Sequence, residues 1–155
     1  MNLPIQVYRE HPDAKLPTKA HESDQCLDFY AAEYVELRPG ETKVIQTGIR
    51  LILPEGYGLE LRERSGLATK GIIVGAGVID EGYTGLLGVV LRYLHPRGLA
   101  YSPGVTPFCI EKGQKIVQGE LVKRNGVWIK DIGPQTFNEL AEEKARGEKG
   151  FGSSG

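Results

Sequence analysis

Residues 42–61 read TKVIQTGIRLILPEGYGLEL, and this stretch decides the class of fold. Thr42–Thr47 and Gly48–Leu53 are short runs rich in β-branched residues and leucine, Pro54-Glu55-Gly56 is a turn, and Tyr57–Leu61 opens another run. β-Branched side chains suit a pleated surface, and proline and glycine preset the dihedrals of turns. The same cadence extends outward. Gly71–Val74, Leu86–Leu94, Thr106–Ile110 and Val127–Ile132 predict strands, with turns at Pro39-Gly40, Glu81-Gly82 and Asn125-Gly126. Asn125-Gly126, between Leu121–Arg124 and Val127–Lys130, is the strongest single hairpin signal, since Asn-Gly adopts the positive φ of a two-residue hairpin turn. Helix signals are sparse: one short turn over Arg64–Lys70 and a brief helix over Asn138–Lys144. Many short strands with turns at this spacing predict an all-β chain, a β-barrel or jelly-roll-like sandwich.

Composition sets the remaining bounds. A chain of 155 residues, 40% hydrophobic and 25% charged, fits one domain with a core. A formal net charge of -1 gives no global basic field to hold nucleic acid. No apolar run is long enough to cross a bilayer, and MNLPIQVYREHPD lacks the apolar stretch of a signal peptide, so a cytoplasmic location is expected. Cys26 and Cys109 are expected to be free, buried thiols. His11, His21 and His95 make no zinc pattern.

Three clusters carry candidate chemistry. Val74–Gly85 (VGAGVIDEGYTG) reads as a hairpin in which Gly75 and Gly77 let another group approach the backbone, with Asp80 before the turn and Tyr83 after it; a bulged hairpin with a surface aspartate fits equally. Arg64-Ser65-Gly66-Leu67 offers a cation, a hydroxyl and N–H donors to an anion, or else a helix cap with a solvated arginine. Ala145–Gly155 (ARGEKGFGSSG) is rich in glycine and serine with few apolar anchors, so it is expected to move freely when nothing is bound. Its Arg146, Lys149 and hydroxyls have phosphate-binding chemistry and Phe151 has a stacking face, while a frayed tail or an expression scar matches the same composition. Two weaker elements are Asp28, a cation ligand or part of a solvated acidic turn, and Gly113–Gln118, a turn entering a strand with polar side chains aimed at a ligand, or an ordinary turn.

Taken in order, DQCLDFYAAE around Asp28, RSGLA at Arg64–Ala68, VGAGVIDEGYTG at Val74–Gly85, GQKIVQ at Gly113–Gln118 and RGEKGFGSSG at Arg146–Gly155 resemble the five motifs of the trimeric dUTP pyrophosphatases. Ala14–Pro17 is similar to that family's opening strand. The resemblance covers nearly the whole chain. It implies a jelly-roll-like protomer over residues 1–144, a C-terminal lid arm over 145–155 exchanged between subunits, and a homotrimer with its sites at subunit boundaries.

The resemblance also implies residue roles. Asp80 would activate a water that attacks the α-phosphorus of dUTP, giving dUMP and pyrophosphate. Tyr83 would pack under the deoxyribose, Gly77, Val78 and Gly88 would read uracil, and Arg64, Ser65, Gly66 and Gln118 would hold phosphate. Arg146 would pair with the γ-phosphate, Phe151 would stack on the base, and Gly152 and Ser153 would donate to the phosphates. Mg2+ would sit on the triphosphate oxygens, with Asp28 acting through its waters. dUTP is then the ligand, with no nucleic-acid or membrane partner. Departures from the pattern are Gln25-Cys26-Leu27 before the first aspartate and Gln114-Lys115 where the family has aspartate and arginine, which removes a pair expected to brace a subunit contact. The Arg92–Pro107 connection is long for a hairpin. Related dCTP deaminases carry a glutamate one strand beyond the aspartate, and Leu86–Arg92 has none. A nucleotide-sensing protein is the alternative from another class, though a sensor would not need Asp80.

Overall fold

The computed structural model describes residues 3–94, 106–142 and 144. Its longest strand, β4 (Thr42–Ile52), turns Ile45, Thr47, Ile49 and Leu51 inward and leaves Thr42, Val44 and Ile52 exposed. That alternation follows from the two-residue side-chain period of a strand. The sequence reading of two runs here becomes one strand. Gly48 lies at φ +70° where the register against β8 shifts, so it absorbs a bulge without ending the strand. The buried Thr47 hydroxyl donates to the Leu87 carbonyl at 2.7 Å, which meets its hydrogen-bonding need inside the core.

Among the described residues every strand pair is antiparallel. The first sheet has the order β1 (Gln6–Arg9), β4, β8 (Leu86–Tyr93), β6 (Ile72–Ala76). The second has the order β2 (Leu27–Tyr30), β10 (Lys115–Lys123), β5 (Tyr57–Arg62), β7 (Val78–Ile79). A ribbon of β3 (Val35–Leu37) and β9 (Phe108–Ile110) completes the set. Phe29, Leu59, Ile116 and Val117 from the second sheet join Ile45, Leu87, Val89 and Leu91 from the first in one buried cluster. Two sheets enclosing one core, with strands passing between them, form a jelly-roll-like sandwich. The one-turn helix α1 (Ser65–Ala68) is anchored by the buried Leu67.

The chain divides into a unit Met1–Arg124 and a unit Asn125–Gly155. The second holds α2 (Pro134–Glu142), where the fixed φ of Pro134 suits a first helical position and starts the helix four residues before the expected Asn138. Val127, Trp128 and Ile129 are exposed, and no strand forms over Val127–Ile132. The predicted Asn125-Gly126 hairpin fails for a visible reason. A two-residue hairpin would need the Arg124 amide for its own closing pair, but that N–H donates to the Gly56 carbonyl at 2.7 Å, extending the β10–β5 ladder.

Other expectations are corrected by the same pairing. Val74–Gly85 is not a hairpin: β6 pairs with β8 in one sheet and β7 with β5 in the other, and the chain crosses between sheets at Gly77. The first strand is Gln6–Arg9; Ala14–Pro17 forms none, and Thr18 instead bridges Asp28. Both cysteines are free as expected, but Cys109 is exposed and Cys26 only half-buried, because neither falls on an inward-facing position. Among the described residues, no helix is long and apolar enough to cross a membrane.

Candidate active site

Asp80 stands one residue beyond β7, at the start of a turn closed by the Tyr83 amide donating to the Asp80 carbonyl at 3.0 Å. The Tyr83 hydroxyl then donates to the Leu86 carbonyl at 2.9 Å, where β8 begins, so the ring lies over Gly85. These local bonds place Asp80 and Tyr83 at the mouth of a cavity of about 140 Å³, lined by Val78, Ile79, Asp80, Tyr83, Leu87 and Gly88. Val78, Asp80, Tyr83 and Gly88 were expected from the sequence; Ile79 and Leu87 were not, and their signal is the inward alternation of β7 and β8. Asp80 is exposed, and among the described residues its carboxylate has no hydrogen-bonded or ionic partner. A carboxylate in that state keeps its acceptor sites for a bound water.

Gly77 stands outside that lining. The close approach predicted for it is real but intramolecular. The Leu61 amide donates to the Gly77 carbonyl at 2.6 Å, and a side chain at Gly77 would overlap the Leu61 carbonyl oxygen. Gly75 likewise faces Val90 rather than open space.

A second cluster forms where β2, β10 and α1 meet. Arg64 precedes α1 in extended conformation, so it occupies the cap position without a side-chain cap bond. Its Nε donates to Asp28 Oδ1 at 2.8 Å, and Lys115 Nζ reaches Asp28 Oδ2 at 2.7 Å. The hydrogen bond to Asp28 holds the Lys115 ammonium above its ordinary pKa, so it stays charged at neutral pH. Gln114 remains in its own turn, its Oε1 accepting the Glu111 amide at 3.0 Å, while Lys115 supplies a cation to Asp28. Gln118 Nε2 donates to the Glu63 carbonyl at 2.8 Å, just before Arg64 and the exposed Ser65 and Gly66. None of Arg64, Ser65, Gly66 and Gln118 lines the Asp80 cavity.

The donor set bears on metal binding. Both Asp28 oxygens already accept cations, and among the described residues no three His, Cys, Asp or Glu side chains cluster to hold an ion. These residues do not form a protein cage for a cation; they fit Mg2+ held by phosphate oxygens and water, the usual arrangement for an ion that dehydrates reluctantly. Arg146, Phe151, Gly152 and Ser153 lie outside the described residues.

A jelly-roll-like β protein with a carboxylate, a tyrosine and a glycine-bearing strand edge around one small cavity, and a cation cluster apart from it, has the parts of a hydrolase for a small anionic ligand. The dUTPase family model matches residues 12–155. The chain is 38% identical over 154 residues to the deoxyuridine 5'-triphosphate nucleotidohydrolase of Clostridioides difficile, covering 97% of each protein. Its structure is similar to that of a Staphylococcus bacteriophage 80alpha dUTPase with dUPNHPP, at TM-score 0.81, 30% identity and 98% coverage of each chain. It also resembles a dUTPase mutant from phage phi11 of S. aureus, described with a structural Mg(II) ion, at TM-score 0.75 and 27% identity over 83% of this chain and 96% of that one. The chain belongs to the dUTPase family.

Proposed function

We propose that the chain hydrolyses dUTP to dUMP and pyrophosphate, and that Asp80 is the general base. The observation that carries this reading is the cavity that gathers Val78, Asp80, Tyr83 and Gly88 in a member of the dUTPase family. The Asp80 carboxylate accepts a proton from a water as its oxygen forms a bond to the α-phosphorus; the bond from that phosphorus to the bridging oxygen breaks, and pyrophosphate leaves. Tyr83 presents a flat face to the sugar and leaves no room for a 2′-hydroxyl. Backbone groups of Val78 and Gly88, which line the cavity, read the uracil edge. Cytosine presents the exchanged donor and acceptor there, a penalty of about 1–3 kcal/mol for each group left unpaired. Mg2+, when bound, offsets the negative charge of the triphosphate oxygens.

The phosphate end is assigned to Arg64, Ser65, Gly66 and Gln118, with Asp28 orienting Arg64; with Mg2+ on the phosphates, Asp28 would contribute at most through a water. The 140 Å³ cavity is smaller than the roughly 300–1,000 Å³ usual for a ligand site, and its lining omits these residues. Both facts support sites completed between copies of the chain. In this reading three copies assemble, and residues 145–155 of one close over the site of another, with Arg146 on the γ-phosphate, Phe151 on uracil, and Gly152 and Ser153 on phosphate oxygens. The enzyme acts in the cytoplasm on free nucleotide.

Pyrophosphate release from each deoxynucleoside triphosphate in the presence of Mg2+ tests the reading. Release from dUTP alone is expected, and Asp80→Asn lowers it by about 10²- to 10⁴-fold. Equal rates on dUTP, dCTP and dTTP refute the uracil pocket, and wild-type turnover in Asp80→Asn refutes the base.

A further inference from the structure

β7 is two residues long and pairs with β5 only through Ile79 opposite Leu59 and Val78 opposite Glu60. The ladder therefore stops before Asp80, and no described side chain holds the Asp80 carboxylate. What fixes the turn lies one residue on. Glu81 Oε2 accepts the Gly56 amide at 3.1 Å and lies 3.3 Å from the Arg124 guanidinium. The Arg124 amide, in turn, donates to the Gly56 carbonyl. Gly56 is thus gripped through both of its backbone polar groups, by Glu81 from the β7 side and by Arg124 from the β10 side. The two gripping residues are paired with each other. This closes a three-cornered clasp across the ends of β7, β5 and β10.

We propose that Glu81 is a positioning residue for the proposed dUTP hydrolysis, clasping the Asp80–Tyr83 turn to the ends of β5 and β10 through Gly56 and Arg124. The inference rests on Asp80 being the base. Glu81 does not line the cavity, so it acts through the turn and not on the ligand. One carboxylate oxygen serves both partners, which makes the two contacts interdependent. A glutamine can still accept the Gly56 amide but loses the ionic partner; an alanine loses both.

The test uses full-length chains carrying Glu81→Ala, Glu81→Gln, Arg124→Gln and the Glu81→Gln/Arg124→Gln pair. Glu81→Ala is expected to lower kcat for dUTP about tenfold with KM unchanged, the pattern of a displaced catalytic group. Glu81→Gln and Arg124→Gln each give a smaller fall, and the double variant falls no further than the worse single. Amide hydrogen exchange provides a readout that does not need activity: exchange at the Tyr83 N–H, which closes the Asp80 turn, speeds up in Glu81→Ala and Glu81→Gln. If the wild type releases no pyrophosphate from dUTP, the proposed function fails while the Tyr83 exchange still decides the clasp. If Glu81→Ala does not fold, the glutamine variants decide. Wild-type kcat with unchanged Tyr83 exchange in them overturns the proposal, as does a KM change with kcat intact.

Discussion

Gly77 joins the two sheets and has no side chain to spare room for. The Leu61 carbonyl that a Cβ would meet is backbone, held in β5, and cannot swing aside. Gly77→Ala is therefore expected to cost about 1–3 kcal/mol of stability, read as a lower urea midpoint, with the turn beyond it displaced. A variant as stable as wild type would mean that β5 and β7 slide apart without cost. The same economy of space explains Asp28. Its two oxygens take Arg64 and Lys115, so a cation stands at position 115 as a lysine, while the Gln114 side chain serves its local turn. A lysine makes a single point contact where an arginine fork makes two, so the Lys115–Asp28 contact is less directional than an arginine's would be.

At the scale of elements, the edge strand β1 is fastened to β4 by Glu10 and Arg50, which also reaches the Thr84 carbonyl at 3.3 Å on the far side of the Asp80 turn. The Arg50 hydrogen bond holds the Glu10 carboxyl below its ordinary pKa. A carboxylate with a depressed folded-state pKa contributes stability above its unfolded value of roughly 4.3, and that contribution is lost as pH falls through the folded value. Wild type is thus expected to exceed Glu10→Gln in urea midpoint at pH 7, with the gap closing as pH falls through the depressed folded-state value. A gap independent of pH would show that Glu10 acts by packing alone.

The alternating strands β4, β5 and β8 were legible in the sequence because their inward residues are aliphatic, and β6 because Ile72–Val74 is an unbroken β-branched run. Gln6–Arg9 was missed because this short edge strand carries polar residues on both faces, and Val35–Leu37 because three residues are too short a run to show a period. Val74–Gly85 was misread because local pattern does not say which sheet a strand joins. The site divides in the same way. Asp80, Tyr83 and Gly88 were readable from motif order along the chain. Glu81, Gly56 and Arg124 were not, because their contacts span 25 residues or more and leave no periodic trace.

The whole molecule brings a question of completeness, since one chain places Asp80, the proposed base, in a cavity that the proposed phosphate residues do not line. If sites are shared between copies, Asp80→Asn chains unfolded and refolded together with Ser65→Ala chains should regain turnover that neither has alone. Mixed assemblies then contain some sites with both residues intact. No regain after mixing would place every residue of a site on one chain. A chain ending at Lys144 should keep the wild-type melting temperature and lose about 10²-fold or more in kcat, the scale of removing positioned donors from a reacting anion. Retained turnover would remove the lid assignment.

Trp128 is the only tryptophan, and it is 79% exposed in a segment without regular structure. Fluorescence of the indole therefore has its source outside the buried cluster that holds the two sheets together. Emission of the free chain should be that of a wetted indole and should change little when the sheets unfold, so a denaturation curve followed at this wavelength would miss the main transition that circular dichroism records. A blue shift on raising the protein concentration would instead signal that neighbouring copies cover Val127–Ile129, giving a label-free optical gauge of association in a chain whose folding it barely sees.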